Sequence, residues 1–382
     1  MRIAIVSMFY LPTIGGVEKV IEVLAKQYIK QGHKVDVFCC DCDKYKRIKK
    51  KFEIIDGVRV YRSRYWLRLS FNTHIFPGVI WDLITKKYDI IHSHVGAHDY
   101  VLFAGIIAKL KGVPHIHTTH CPWTDKFRPW PARFALFFTD NFFNYISFPL
   151  CDRIIAITPW EIPVLKKYVK EKKIKVLHNG MAKSLFKKVK DNPTKKSFMQ
   201  DPKRKLVLFY GRLHPTKSPH HFAEVAVDIA KERKDMEFAI VGPDEGLMDR
   251  VKGIVKDHPR IHVLGKWIYE KNPELYQAAD VYVLPSYREG LPLTIFEAMA
   301  SGLPIVTTPV NGIPYEVTSG INGFLFKHGD RKKMKEYILR ILDDPKLAKM
   351  FSENNKKKVK GYTWDQIAEE TLDIYKEEIL KK

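Results

Sequence analysis

Val281-Tyr282-Val283-Leu284-Pro285-Ser286-Tyr287-Arg288-Glu289-Gly290-Leu291-Pro292-Leu293-Thr294-Ile295-Phe296-Glu297-Ala298-Met299-Ala300-Ser301-Gly302 is the stretch that decides the fold. Val281 to Leu284 is a short apolar run of the kind buried in a parallel sheet. Glu289 follows in a tight loop, and Pro292 suits the first turn of the next helix. A helix start offers unpaired backbone N–H groups and the positive end of a dipole, a seat for a diphosphate. Glu289 and Glu297 lie near one end of that seat. A carboxylate accepts hydrogen bonds from two vicinal hydroxyls at once, so the pair suits a hydroxyl-rich ligand.

Outward from this stretch the alternation repeats. Leu206–Tyr210, Glu237–Val241, His262–Leu264 and Pro304–Thr307 read as further parallel strands separated by helical stretches. The first half reads the same way. Its strands are Arg2–Tyr10, Lys34–Cys39, Val58–Tyr61, Asp89–His92, Pro114–Thr118, Arg153–Ile157 and Lys175–Leu177. Val17–Gln31 reads as a helix with Val20, Val23, Leu24 and Tyr28 on one face. The chain is therefore expected to be α/β, two doubly wound domains in tandem around a cleft, with ligands at the carboxyl ends of the strands. Residues 1–182 form the first domain and 206–363 the second. Lys183–Lys205, Lys-rich and broken by Pro193 and Pro202, reads as the link. Residues 364–382, with Ile367, Leu372, Tyr375 and Ile379 at helical spacing, read as a helix returning to the first domain.

Of the 382 residues, 45% are hydrophobic and 28% charged, the mix of a globular protein. No apolar run approaches the roughly 20 residues of a membrane span. The start, Met1 to Val6, runs straight into a strand, so a cytoplasmic location is expected. Five cysteines, an odd count, read as reduced thiols. The formal net charge of +22 asks for an anionic partner: nucleic acid, acidic lipid or a phosphorylated substrate. No nucleic-acid module is present and the charge is spread along the chain, so nucleic acid is not expected.

Phe209-Tyr210-Gly211-Arg212-Leu213-His214-Pro215-Thr216-Lys217 ends a strand and supplies two cations before a helix. Arg212 and Lys217 together offset a diphosphate's charge; a solvated basic loop would look the same in isolation. Gly15-Gly16 after the first strand lets a backbone approach a ligand, or makes a simple turn. His120 falls just past a strand end, where ligand-facing residues lie. His115 and His117 alternate with Ile116, and His92 and His94 repeat that pattern; these four read as structural. No metal site is expected from them.

The joint order of these motifs resembles the retaining glycosyltransferases of family 4, which have the GT-B fold of two Rossmann-like domains. Glu289 and Glu297 reproduce that family's E-x7-E pattern, and Gly15-Gly16, His120, His178-Asn179-Gly180, Gly211-Arg212, Lys217 and Val241-Gly242-Pro243 stand in the matching order. The resemblance implies that a UDP- or GDP-sugar is the donor. It implies that Arg212 and Lys217 hold the donor diphosphate, Glu289 the sugar hydroxyls and Glu297 the ribose. Gly15 and Gly16 would pass near the phosphates, His120 would line the sugar site, and the backbone of Gly290, Leu291 and Leu293 would help hold sugar and phosphate. It implies retention of configuration and no required metal or other cofactor. Relatives often read E-G-F-G where this chain has Glu289-Gly290-Leu291-Pro292, and Pro292 removes one backbone donor.

The first domain carries surplus cations and aromatics. Lys44–Lys51 is basic, Tyr61–Leu69 interleaves Arg62, Arg64 and Arg68 with Tyr65 and Trp66, and Pro122–Leu150 is rich in Trp and Phe. Such segments suit docking on an anionic membrane, or else a core or dimer interface. A lipid or lipid-linked glycan acceptor at the cytoplasmic membrane face is the expectation. A soluble acceptor or nucleotide-sugar epimerisation is the alternative within the same fold.

Overall fold

The computed structural model describes residues 1–13, 15–43, 46–70, 73–96, 98–120, 130–190 and 192–382. The chain divides into two compact units: Met1–Gly180 with Trp364–Lys382, and Met181–Thr363.

Among the described residues the first unit holds ten strands: β1 (Arg2–Val6), β2 (Lys34–Cys40), β3 (Phe52–Ile55), β4 (Val58–Ser63), β5 (Leu67–Ser70), β6 (Thr73–Ile75), β7 (Ile90–His94), β8 (His115–Thr118), β9 (Arg153–Ala156) and β10 (Ile174–Val176). Eight of them form one sheet in the order β10-β9-β8-β7-β1-β2-β4-β3. Every neighbour pair is parallel except β3 with β4. Ile3, Ala4, Ile5 and Val6 are all at most 1% exposed. Burial of consecutive residues means that both faces of the sheet are covered, which is why β1 reads as an unbroken apolar run. The antiparallel edge strand β3 and the hairpin β5–β6 were not expected. Phe52 and Ile54 face outward in β3 while Glu53 pairs with Arg62 at 2.5 Å, so no apolar run marks it.

Helix Trp364–Ile379 belongs to this unit. It buries Ile367, Leu372 and Tyr375, and the Tyr375 ring lies 5.8 Å from that of Tyr28 on helix Gly16–Lys30. Arg153 anchors its last turn by donating from Nε to Glu378 Oε1 at 2.9 Å.

The second unit holds β11 (Lys205–Tyr210), β12 (Met236–Val241), β13 (Ile261–Gly265), β14 (Val281–Leu284), β15 (Ile305–Thr307) and β16 (Gly323–Leu325). The order β13-β12-β11-β14-β15-β16 is wholly parallel. Strand order reverses between β11 and β14, and the crevice beyond their carboxyl ends is where such sheets bind ligands. The short β16 escaped the sequence reading. Its Gly323 allows the backbone of β15 to approach: an added Cβ would stand 2.4 Å from the Ile305 carbonyl oxygen.

Segment 183–205, expected as a link, is instead part of the second unit. The Val189 N–H donates to Gln277 Oε1 at 2.8 Å, and the N–H groups of Gln200 and Asp201 both donate to the Glu237 carboxylate. Its lysines point outward while its backbone is held by polar anchors, so it has neither apolar periodicity nor freedom.

Candidate functional site

The second unit's strand-order reversal brings two loops together. After β11 the chain runs through Gly211 and Arg212 to a short turn, Pro215–Lys217, before helix Pro219–Glu232. After β14 it runs through Ser286 and Glu289 to helix Leu293–Ala300. The Tyr287 N–H donates to the Thr216 carbonyl at 2.9 Å and stitches the loops. Lys217 Nζ then donates to both carboxylate oxygens of Glu289, at 2.5 Å to Oε1. Ser286 Oγ donates to Glu289 Oε1, and Asn311 Nδ2 to the Glu289 carbonyl. Glu289 is 5% exposed. Burial lowers the Lys217 pKa from its usual value, against the raising effect of Glu289 and with a further lowering from Arg212.

Arg212 is half exposed and donates from Nη1 to Glu245 Oε2 at 2.5 Å. Each of the two candidate cations thus has a carboxylate partner. Pro292 stands just before helix Leu293–Ala300 with ψ at 126°, one residue earlier than its expected place in the first turn. The N–H of Leu293 opens the helix beside Gly290 and the buried Leu291.

Glu297 lies within the same helix, 3% exposed. Its Oε2 accepts from Tyr276 Oη at 2.9 Å and from Asn272 Nδ2 at 3.2 Å. Tyr210 Oη donates to Asn272 Oδ1 at 3.1 Å. Burial and the Glu297 charge both push the Tyr276 phenol well above its ordinary range, so it stays a donor.

Gly15, Gly16 and His120 belong to the first unit. Gly15 caps helix Gly16–Lys30 in an extended conformation that any residue adopts. An added Cβ on Gly16 would meet nothing within 4 Å, so packing does not require that glycine. His120 sits two residues past β8 with φ at +55°. His94 Nδ1 and His120 Nε2 share a hydrogen bond of 3.0 Å. On the opposite face of the sheet His115 and His117 both bond Ser93 Oγ, at 2.8 and 2.9 Å. Burial lowers the pKa of His120 and of His115 to about 4. Among the described residues no three His, Cys, Asp or Glu side chains are placed to hold a metal ion.

Residues 191–358 match the family described as Glycosyl transferases group 1, and residues 14–184 match Glycosyltransferase Family 4. An Escherichia coli protein named UDP-Gal:alpha-D-GlcNAc-diphosphoundecaprenol alpha-1,3-galactosyltransferase is 30% identical over 314 residues, 79% of this chain and 79% of that protein. The chain belongs to glycosyltransferase family 4. An uncharacterised glycosyltransferase of Methanocaldococcus jannaschii is 26% identical over 392 residues, covering 98% of both chains. Among solved structures, HepE of Anabaena in complex with UDP superposes with a TM-score of 0.75 at 18% identity, over 99% of this chain and 100% of that one. That likeness places both units in the GT-B fold.

Within the second unit of this glycosyltransferase, the structure brings Lys217 and Glu289 into direct contact at one end of the sheet and puts Arg212 beside Lys217. Sequence reasoning missed Ser286, Asn311 and Glu245 around them, and Tyr210, Asn272 and Tyr276 around Glu297. Tyr210, the last residue of β11, stood where ligand-facing residues collect and was the one legible hint.

Gly242 lets the loop after β12 pack against the backbone at Gly211. Its φ is +146°, and an added Cβ would stand 1.9 Å from the Gly211 carbonyl oxygen. Gly242→Ala must push the Gly211-Arg212 loop away. It is expected to cost on the order of 3 kcal/mol or more of stability, read as a fall in the denaturant midpoint. A midpoint equal to wild type would mean that the two loops do not touch.

Proposed function

We propose that this enzyme transfers a hexosyl group from a UDP- or GDP-sugar, with retention, to a lipid or lipid-linked glycan at the cytoplasmic membrane face. The observation that carries the donor half is the Lys217–Glu289 contact at the carboxyl ends of β11 and β14. In this structure the two groups satisfy each other. A donor would offer each a better partner: phosphate oxygens for Lys217 and sugar hydroxyls for Glu289. Arg212 would turn from Glu245 to the diphosphate, and the N–H groups at the start of helix Leu293–Ala300 would add to the seat. Glu297 would take the ribose hydroxyls in place of one of its internal donors. On the family resemblance, Gly16 would pass near the donor phosphates and His120 would line the sugar site.

The chemistry is then electrostatic. As the bond from the anomeric carbon to the diphosphate oxygen breaks, Arg212 and Lys217 stabilise the leaving charge. The acceptor hydroxyl attacks from the same face, and its proton passes to the departing diphosphate. No side chain is assigned as a covalent nucleophile.

The acceptor half draws on the Escherichia coli relative, whose name gives a polyprenyl diphosphate glycan as acceptor, and on this chain's own surface. Helices Gly78–Thr85, Asp99–Lys111 and Asn144–Ser147 are successive neighbours. They, the adjoining helix Trp130–Phe138 and the helical turn Thr139–Phe143 after it expose Trp81, Leu110, Trp130, Phe137 and Phe142, each more than half accessible. Tyr145 packs its ring on Tyr168, which sits among Lys166, Lys167 and Lys170. Exposed aromatics beside cations fit an anionic bilayer surface. Trp123, Phe127 and Lys44 of the expected docking segments lie outside the described residues.

Two measurements test the halves separately. Thermal shift with UDP- and GDP-sugars should show stabilisation by one of them, reduced in Arg212→Ala; none at millimolar concentration would sink the donor reading. Sedimentation with anionic vesicles at low salt should pull the protein down, less so for Phe137→Ala/Phe142→Ala. Equal recovery with neutral and anionic vesicles would remove the charge argument.

A further inference from the structure

We propose that His94 is a positioning residue for His120, fixing the ring plane and the tautomer that His120 presents at the end of β8. The proposal rests on the reading that His120 faces the donor sugar.

His94 and His92 project from the same face of β7, both 1% exposed, with ring centroids 4.1 Å apart and planes at 32°. His92 is locked at both ends: Nδ1 bonds Tyr375 Oη at 2.5 Å and Nε2 bonds Thr118 Oγ1 at 2.8 Å. His94 therefore stacks on a ring that cannot turn. Its own Nδ1 holds Nε2 of His120 at 3.0 Å, with the two rings only 25° from coplanar. His120, the outermost of the three, is partly accessible and takes a left-handed backbone that few non-glycine residues adopt.

An imidazole with one nitrogen tied has one left to offer. Here Nε2 is engaged, so Nδ1 is the nitrogen that His120 can present. Burial lowers the pKa of all three imidazoles, so the shared bond needs one donor and one acceptor. Whichever way His94 sets that bond, it fixes whether His120 Nδ1 donates or accepts. A sugar hydroxyl meeting a fixed tautomer keeps its geometry; one meeting a free ring does not. His115 and His117 provide the internal contrast. They are as buried as His94 and each holds one ring hydrogen bond, but those bonds end on Ser93 on the other face.

The test is a cycle of His94→Gln and His120→Ala, singly and together, read as kcat/KM with the donor that the thermal-shift panel selects. His94→Gln is expected to lose about tenfold in the wild-type background and nothing further in His120→Ala. His94→Asn should recover most of that loss, because an Asn amide nitrogen overlays imidazole Nδ1 while a Gln amide overlays Nε2. Equal losses from His94→Gln in both backgrounds would overturn the proposal while leaving the His120 reading intact. An unimpaired His120→Ala would overturn both. Should His94→Gln fail to fold, Tyr375→Phe replaces it in the cycle. It frees His92 by one hydroxyl and should lose activity only when His120 is present. His117→Gln should lower the melting temperature without that background dependence; the same dependence would overturn the proposal.

Discussion

Lys217→Met is expected to cost turnover about 10²- to 10³-fold and stability about 3 kcal/mol, by two separable routes. The stability loss comes from Glu289. Its side chain is 4% exposed, and Lys217 is the cation on it. Methionine fills the space of the lysine stem but leaves a buried carboxylate with Ser286 Oγ as its side-chain donor. An uncompensated buried charge is the costly part of a broken pair. Adding Glu289→Gln should therefore return most of the stability, since a neutral amide carries no such penalty. It should return none of the activity. On the proposed donor reading the leaving diphosphate would still lack its buried cation, and Arg212, half exposed and paired with Glu245, would be a weaker substitute. Denaturant melts and steady-state kinetics on the single and double variants read the two routes independently. Lys217→Met with kcat/KM within twofold of wild type would remove Lys217 from the donor site, whatever its stability.

The parts of this structure that were legible in sequence are those where one local signal sufficed. β1, β11, β12 and β14 are buried on both faces, and each is an apolar run ended by Gly, Pro or Ser. The loop holding Glu289 was legible because Pro292 and the helix behind it fix where the strand must end. Tyr276 and Asn272 were not legible. They sit on helix Asn272–Ala278 and reach Glu297 only because β14 lies beside β11 rather than beside β13, a fact of strand order. Glu245 was hidden for the same reason: it meets Arg212 through the Gly211–Gly242 backbone contact. Segment 183–205 misled because its anchors are single polar groups, Gln277 and Glu237, with no periodicity to announce them. The histidines were read as structural, which fits His115 and His117; nothing in the spacing showed that His94 reaches across to His120.

Those histidines make the fold acid-labile in a defined window. His92, His94, His115 and His117 are each at most 1% exposed, and burial lowers the pKa of every one below 6.5. The unfolded chain takes up protons near pH 6.5, whereas folded His115 takes its proton only near pH 4. Between those values the unfolded state binds more protons, so stability is full above pH 6.5 and is lost as pH falls. At pH 5 the loss from His115 alone is about 2 kcal/mol. Three further imidazoles shifted the same way add to that loss. Two hydrogen-bonded carboxylates titrate below this window. Burial raises, but hydrogen bonds outweigh it and lower, the pKa of Glu53 and Glu237 below 4.5, so their stabilisation is lost only at more acid pH. Calorimetry should show a melting temperature that is flat from pH 8 to 7 and falls by about 10 °C or more between pH 6.5 and 5. His115→Gln should melt lower at pH 7.5 but fall less steeply. A melting temperature unchanged from pH 7.5 to 5 would mean that these rings are not sealed from water. Activity per folded molecule should hold through that window, because His120 takes its proton only near pH 4 and its bond to His94 needs a single acceptor nitrogen.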